Sequence, residues 1–216
     1  TWTDNSGEVR RVWLINRLDS PTSGVILLGL NAEITAVIKK EFSTHRVTKI
    51  YYALVRGRPQ VPSGAWSDQL KKVSQNSSGA HSRPQIIPAK TRYQTIKSPT
   101  GGFPVSLVKL MPLTGRTHQL RVQCKKRGLP IVGDRTYGNF SFNKEIAIKV
   151  QTKRMMLHSS ETIVRYCFKG KLRELRAKSE LPEEFKDVMS YRPGLNMSRP
   201  KETRNPLLSS RRFKAP

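Results

Sequence analysis

The sequence predicts a mixed α+β fold. Strand-like runs outnumber helical ones, no regular strand–helix alternation marks a parallel βαβ sheet, and 216 residues suffice for one domain with a short appendage. Hydrophobic residues make up 36% of the chain, which is low but enough for a core.

Residues 11–18 and 24–30 predict two short strands around the turn Ser20-Pro21-Thr22-Ser23. Gly24 falls where a side chain would crowd the backbone. Asn31 predicts the cap of a helix running to Phe42, with Ile34, Val37, Ile38 and Phe42 on one face. VTKIYYALVR, residues 47–56, predicts a strand with Tyr51, Ala53 and Val55 on one side and Ile50, Tyr52 and Leu54 on the other. Residues 62–88 hold Pro, Gly, Ser, Asn and Lys with little period and predict a long loop or insertion. Strands are expected at 89–97 and 103–111.

LTGRTHQLRVQCKKRGLPIVGD predicts a helix of about ten residues, capped by Thr117 and stopped at Gly128, with Pro130 beyond. Its spacing puts His118, Arg121, Val122 and Lys125 on one face. Strands are expected near 155–166 and 171–177, then a short helix starting at Pro182. Residues 191–216 carry seven Lys/Arg, one acid and four prolines, which predicts a basic, disordered tail.

Forty Lys and Arg against fifteen Asp and Glu give a formal charge of +25. Such self-repulsion adds nothing to fold stability, so a polyanionic partner, nucleic acid, is expected. Cys124 and Cys167 show no C-x-x-C spacing and fit a reducing, cytoplasmic compartment. No apolar run approaches the ~20 residues of a membrane span, and no signal peptide is evident at Thr1. His45, His81, His118 and His158 form no H-x-x-x-H pair, so no metal is expected and a metal-dependent nuclease is disfavoured. Neither G-x-x-x-x-G-K-[ST] nor G-x-G-x-x-G occurs, which argues against nucleotide triphosphate chemistry.

With so few acids, a carboxylate inside apolar sequence stands out. Asp19 follows Arg17 at strand spacing, so both project to one face. Burying an isolated carboxylate is costly, so Asp19 is either a strand-end turn residue or a charge held for a purpose. Asp134, in VGDRTYG, has the turn reading. Tyr51 reads equally well as core packing.

INRLDSPTSGVILLGLN resembles the catalytic stretch of the RluA family of RNA pseudouridine synthases, written H-R-L-D-x-x-T-S-G. Further blocks match in order. KIYYALVRG resembles K-x-Y-x-A-x-V-x-G, and GRTHQLR with GLPIVGDRTYG resembles the family's helix and the strand after it. MLHSSETIVRY resembles the L-H-A segment, with Ser159 in place of Ala, and LRAKSELPEEF resembles the closing block. Asn16 stands where the family has His. The usual Lys-Pro-x-Gly strand before the catalytic block is absent, so the N-terminal strand region is expected to be short or truncated.

The resemblance implies a pseudouridine synthase fold over residues 1–190: a mostly antiparallel mixed sheet, flanking helices and a central catalytic cleft. It implies isomerisation of uridine to pseudouridine in rRNA or tRNA by a monomer, without cofactor or metal. Asp19 matches the essential carboxylate, Arg121 the arginine paired with it, and Tyr51 the tyrosine that stacks on the base and is expected to help remove its C5 proton. Arg17 matches the arginine that fills the place of the extruded nucleotide. Lys49, Arg116, Thr117 and His118 are expected to contact RNA, with Lys125, Lys126 and Arg127 adding backbone charge. The rival expectation is a basic RNA-binding or ribosome-associated module that kept the fold and lost catalysis.

Overall fold

The computed structural model describes residues 1–71 and 85–194. The elements begin with β1 (Trp2–Thr3), β2 (Val9–Arg10), β3 (Trp13–Leu14), β4 (Ser23–Gly24), β5 (Leu28–Gly29) and α1 (Ala32–Ser43). Next come β6 (Val47–Arg56), β7 (Ser63–Lys71), β8 (Ile86–Lys97), β9 (Val105–Pro112) and α2 (Gln119–Lys126). The series closes with α3 (Phe140–Lys149), β10 (Leu157–Phe168), β11 (Lys171–Lys178) and α4 (Glu183–Ser190). The class is α+β, as expected.

The main sheet runs β11-β10-β6-β9-β8-β7, all antiparallel, and β4 adds the one parallel pairing described, against β10. The alternation of β6 fixes the layers. Ala53 and Val55 face Val108, Leu110 and the α2 residues Leu120 and Cys124, and Tyr51 packs at the edge of that cluster. Leu54 faces the opposite layer, where Phe142 and Ile146 of α3 meet Phe185 and Val188 of α4. A third cluster seats α1 through Ile38 against Val25, Leu27, Val47 and Val164.

The register of β10 positions the site. β11 pairs with it from Phe168 back to Glu161, and a bulge follows between Ser159 and Glu161. There β4 takes over, with Ser23 opposite His158 and Gly24 opposite Ser159. Gly24 has φ +115, and a Cβ on it would collide with the Ser159 carbonyl oxygen. Only glycine lets the Asp19–Ser23 loop lie this close to the strand.

The two strands expected at 11–18 and 24–30 shrink to β3 and β5, because side chains replace part of the ladder. Trp13 pairs with Gly29 and Leu14 with Leu28, and the Ile15 N–H donates to the Leu27 carbonyl at 3.0 Å. Asn16 Oδ1 then accepts the Leu27 N–H at 2.7 Å, and its Nδ2 reaches the Val25 carbonyl at 3.4 Å. The loop expected over 62–88 is overturned for its first part: β7 pairs with β8 along its whole length. The buried face of β7 reads Trp66, Asp68, Leu70, and the Asp in the middle hides the period. Asp68 is satisfied by Arg127 at 2.9 Å and by the Gln123 amide at 2.9 Å. The end of that expectation is overturned too, since Ile86, Ile87 and Pro88 belong to β8, and residues 72–84 lie outside the described residues.

Helix α3 was not expected. Asn139 caps it through the Phe142 N–H at 2.9 Å, but exposed Phe140 and Ile148 blur its buried Phe142–Ile146 stripe. Pro182 occupies the cap position of α4 rather than its first turn. Tyr191 stacks on Phe103 at 4.3 Å, so packing extends one residue past the expected boundary. From residue 195 the expected tail lies outside the described residues. No described helix is long and apolar enough to cross a membrane.

Replacing Asn16 by Ala leaves the Leu27 N–H without its acceptor. A loss of about 1–3 kcal/mol in urea unfolding is expected.

Candidate active site

A cleft of about 710 Å³ opens between the 16–22 loop, β6 and the segment 112–120. Arg17, Asp19, Lys49, Tyr51, Arg116, Thr117 and His118 all line it. Seven of the eight residues singled out from the sequence therefore meet at one opening. The eighth, Arg121, stands behind the wall.

Arg121 is 4% exposed, on the inward side of α2. Its Nε and Nη2 donate to Asp134 Oδ2 and Oδ1 at 2.7 and 2.9 Å, a fork-on-carboxylate pair. Its remaining nitrogen, Nη1, lies 3.5 Å from Asp19 Oδ2. The ring of Tyr137 covers the guanidinium at 5.0 Å. One buried cation thus serves two carboxylates, one sealed and one facing the cleft.

The turn reading of Asp134 is half right. Its Oδ1 does accept the Thr136 and Tyr137 N–H groups at 2.9 Å each, but the same carboxylate anchors Arg121. Burial would push the Asp134 carboxyl up; Arg121 and the two amides outweigh that and hold it below the usual carboxylate range. The bond to Asp134 likewise raises Arg121 above its ordinary value. Sequence reasoning missed this partner because one acid after Val-Gly looks like any turn. The signal was present: GD follows the apolar pair Ile131-Val132, as Asp19 follows Leu18.

The start of α2 differs from expectation. Thr117 does not cap it. His118 holds the cap position with φ 52 and makes no side-chain cap bond. The left-handed residue turns the chain so that His118 Nδ1 meets the Tyr137 hydroxyl at 3.1 Å, while exposed Thr117 faces the cleft. Arg121 is buried, and Gln119 and Gln123 point inward to satisfy Thr91, at 2.9 and 2.6 Å. Gly128, with φ +66, ends the helix as expected.

Tyr51 lies opposite Ser159 across the β6–β10 pair. Burial and the nearby Asp19 charge raise its phenol above the ordinary value, with Ser159 pulling the other way. The ring is therefore a neutral phenol at neutral pH, suited to stacking and not to standing as a base. The Ser159 hydroxyl is near Tyr51 but lacks hydrogen-bond geometry, and its Oγ is buried without a partner. Burial lowers the Lys49 ammonium below its usual value, and no described carboxylate pairs with it. An unpaired, half-buried cation in a cleft is suited to an anionic ligand.

A second network, not foreseen, ties the loop down. Arg154 Nη2 donates to Ser23 Oγ at 2.6 Å, so Ser23 donates to His158 Nδ1 at 2.9 Å and His158 Nε2–H faces the Ser179 carbonyl at 3.3 Å. Burial holds His158 below its ordinary value, which keeps this neutral tautomer. Among the described residues no group of three or more His, Cys, Asp or Glu is placed to hold a metal. Cys124, buried and pushed up to about 12, offers no thiolate.

The sequence profile of a family described as RNA pseudouridylate synthase matches residues 3–126. The chain belongs to that family, in its RluA branch. It is 33% identical over 184 residues to the tRNA pseudouridine synthase C of Pectobacterium carotovorum subsp. carotovorum, covering 80% of this chain and 48% of that one. It is 31% identical over 186 residues to the tRNA pseudouridine synthase C of Yersinia pestis, covering 80% and 71%. The chain thus spans about half the length of the first relative. Among solved structures, human RNA Pseudouridylate Synthase Domain Containing 1 is 32% identical with a TM-score of 0.63, covering 78% of this chain and 69% of that one. The fold is the pseudouridine synthase fold implied by the motifs.

Three outcomes follow from this geometry. Asp134→Asn leaves Arg121 buried against a weakened partner and should cost about 3–5 kcal/mol in urea unfolding. A carboxylate lowered in the folded state stabilises above its unfolded pKa of ~3.9 and stops doing so as pH falls through the folded value. The same variant should therefore flatten the acid limb of stability below about pH 4. Ser159→Ala removes a buried unpaired hydroxyl and should be neutral or stabilising by up to about 1 kcal/mol in the same assay.

Proposed function

We propose that this domain isomerises uridine to pseudouridine in structured RNA, with tRNA as the favoured substrate class and no cofactor or metal. The observation that carries the reading is Asp19 at the cleft wall, 3.5 Å from a guanidinium locked by a second, buried carboxylate. A solvated strand-end Asp needs no such support.

In this reading the target nucleotide leaves its stack, at a cost of a few kcal/mol, and enters the cleft. Arg17, exposed and without a described ion-pair partner, fills the vacated place by stacking its guanidinium on the neighbouring bases. Asp19 is the anion that acts at the ribose. The N1–C1′ bond breaks, the uracil turns against the neutral ring of Tyr51, and C5 joins C1′. The C5 proton then passes to solvent and N1 takes one up from it, so the product is an isomer of the substrate. Arg121 touches no substrate; it is a positioning residue that keeps the Asp19 carboxylate aimed into the cleft. Lys49, Arg116, Thr117 and His118 hold the flanking backbone. Asn16 bonds to the backbone of Leu27 and Val25, so the customary imidazole is replaced by a group that shapes the loop. The protein works as a cytoplasmic monomer, with residues 1–190 as the catalytic domain.

The test uses an unmodified tRNA transcript. Asp19→Asn should abolish pseudouridine formation in a tritium-release assay and leave RNA affinity within about twofold. An inactive parent that still binds RNA would select the rival reading, a binding module with the same fold. A pH profile of the parent should show no loss from phenol ionisation below about pH 10, since Tyr51 is raised above that ordinary value.

A further inference from the structure

Behind the Asp19 loop lies a second hollow, of about 470 Å³, lined by Ser20 and Pro21, which fall between Asp19 and Thr22 of the cleft lining. Arg121, Arg135, Lys153 and Arg154 line it, against a single carboxylate, Glu184. The charges do not cancel. Arg121 is balanced by Asp134 and Asp19, and Arg154 by Glu184 at 3.1 Å. Arg135 and Lys153 are exposed and form no ion pair among the described residues. The hydroxyl-bearing residues Ser20 and Thr136 line the same hollow.

We propose that this hollow seats a phosphodiester of the RNA strand beside the nucleotide delivered to Asp19. The inference rests on the RNA-modifying reading and adds a contact point to it. Two unpaired cations flanked by hydroxyls suit a phosphate, which a guanidinium binds through paired N–H donors. Continuity supplies the rest. A backbone that places one nucleotide in the cleft must leave over a wall, and the Ser20-Pro21 wall has a basic hollow behind it. The hollow then grips the strand on one side of the loop while Lys49 and Arg116 grip it on the other.

The experiment measures binding of the full chain to an unmodified tRNA transcript at KCl concentrations from about 50 to 300 mM. Each phosphate contact to a single strand contributes ~0.7 to the slope of log K against log salt. Arg135→Gln and Lys153→Gln should each lower the slope by part of that amount, and the double variant, which strips the hollow of both unpaired cations, by ~0.7. Lys171→Gln, the same charge change on the β10–β11 hairpin, is the control. Thermal melts verify that the variants fold. A double variant that matches the control overturns the proposal. So does selective competition by inorganic phosphate, at matched ionic strength, with no change in slope, because that marks a site for a free anion. Pseudouridine formation by the parent is read separately. Its absence with normal slopes would strike the proposed activity and leave this contact standing.

Discussion

The fold converges on one buried guanidinium. Arg121 has more N–H donors than a single carboxylate can use, and the chain supplies a second acceptor on each side of it. Asp134 takes two nitrogens in a sealed pocket, and the third, Nη1, faces Asp19 at 3.5 Å. Desolvating an arginine is costly, and Asp134 with its two amide bonds offsets that cost. In the proposed reaction the ion pair to Asp19 is then free to serve chemistry instead of stability. A carboxylate that would otherwise drift with its loop is given a fixed direction.

The sheet supplies the other half of that geometry. β11 stops at the bulge of β10, which frees two residues of strand edge for β4. Glycine at position 24 and the Arg154–Ser23–His158 chain of bonds close the loop onto that edge. The same stretch of β10 faces Tyr51 on its other side. Acid and aromatic ring are therefore held by one strand, and errors in either would move both.

Much of this was legible in the sequence. β6 kept its full predicted span because its alternation is clean and both faces are buried. α1 was found from its Asn31 cap and apolar stripe. The residues that line the cleft were singled out because their motifs are local and their types are chemical. The failures share a cause. β7, Asp134, Gln119 and Gln123 all bury polar groups, and a polar residue on an inward face erases the hydrophobic period. Their partners lie far away in the chain: Asp68 meets Arg127, and Gln123 meets Thr91. No local pattern can announce such a pair. The cap on α2 failed for a related reason, since His118 is turned by a contact with Tyr137, nineteen residues on.

The central claim is that the reach of Arg121, not its charge alone, makes Asp19 effective. Arg121→Lys separates the two. A lysine keeps a buried cation against Asp134 but has no planar fork to span both acids. Single-turnover pseudouridine formation on an unmodified tRNA transcript, with a thermal melt of the same sample, is the direct measurement. The account predicts a cooperative melt with turnover reduced by about 100-fold, the scale on which misplacing a reacting group is felt. Turnover equal to the parent's in the folded lysine variant would contradict it.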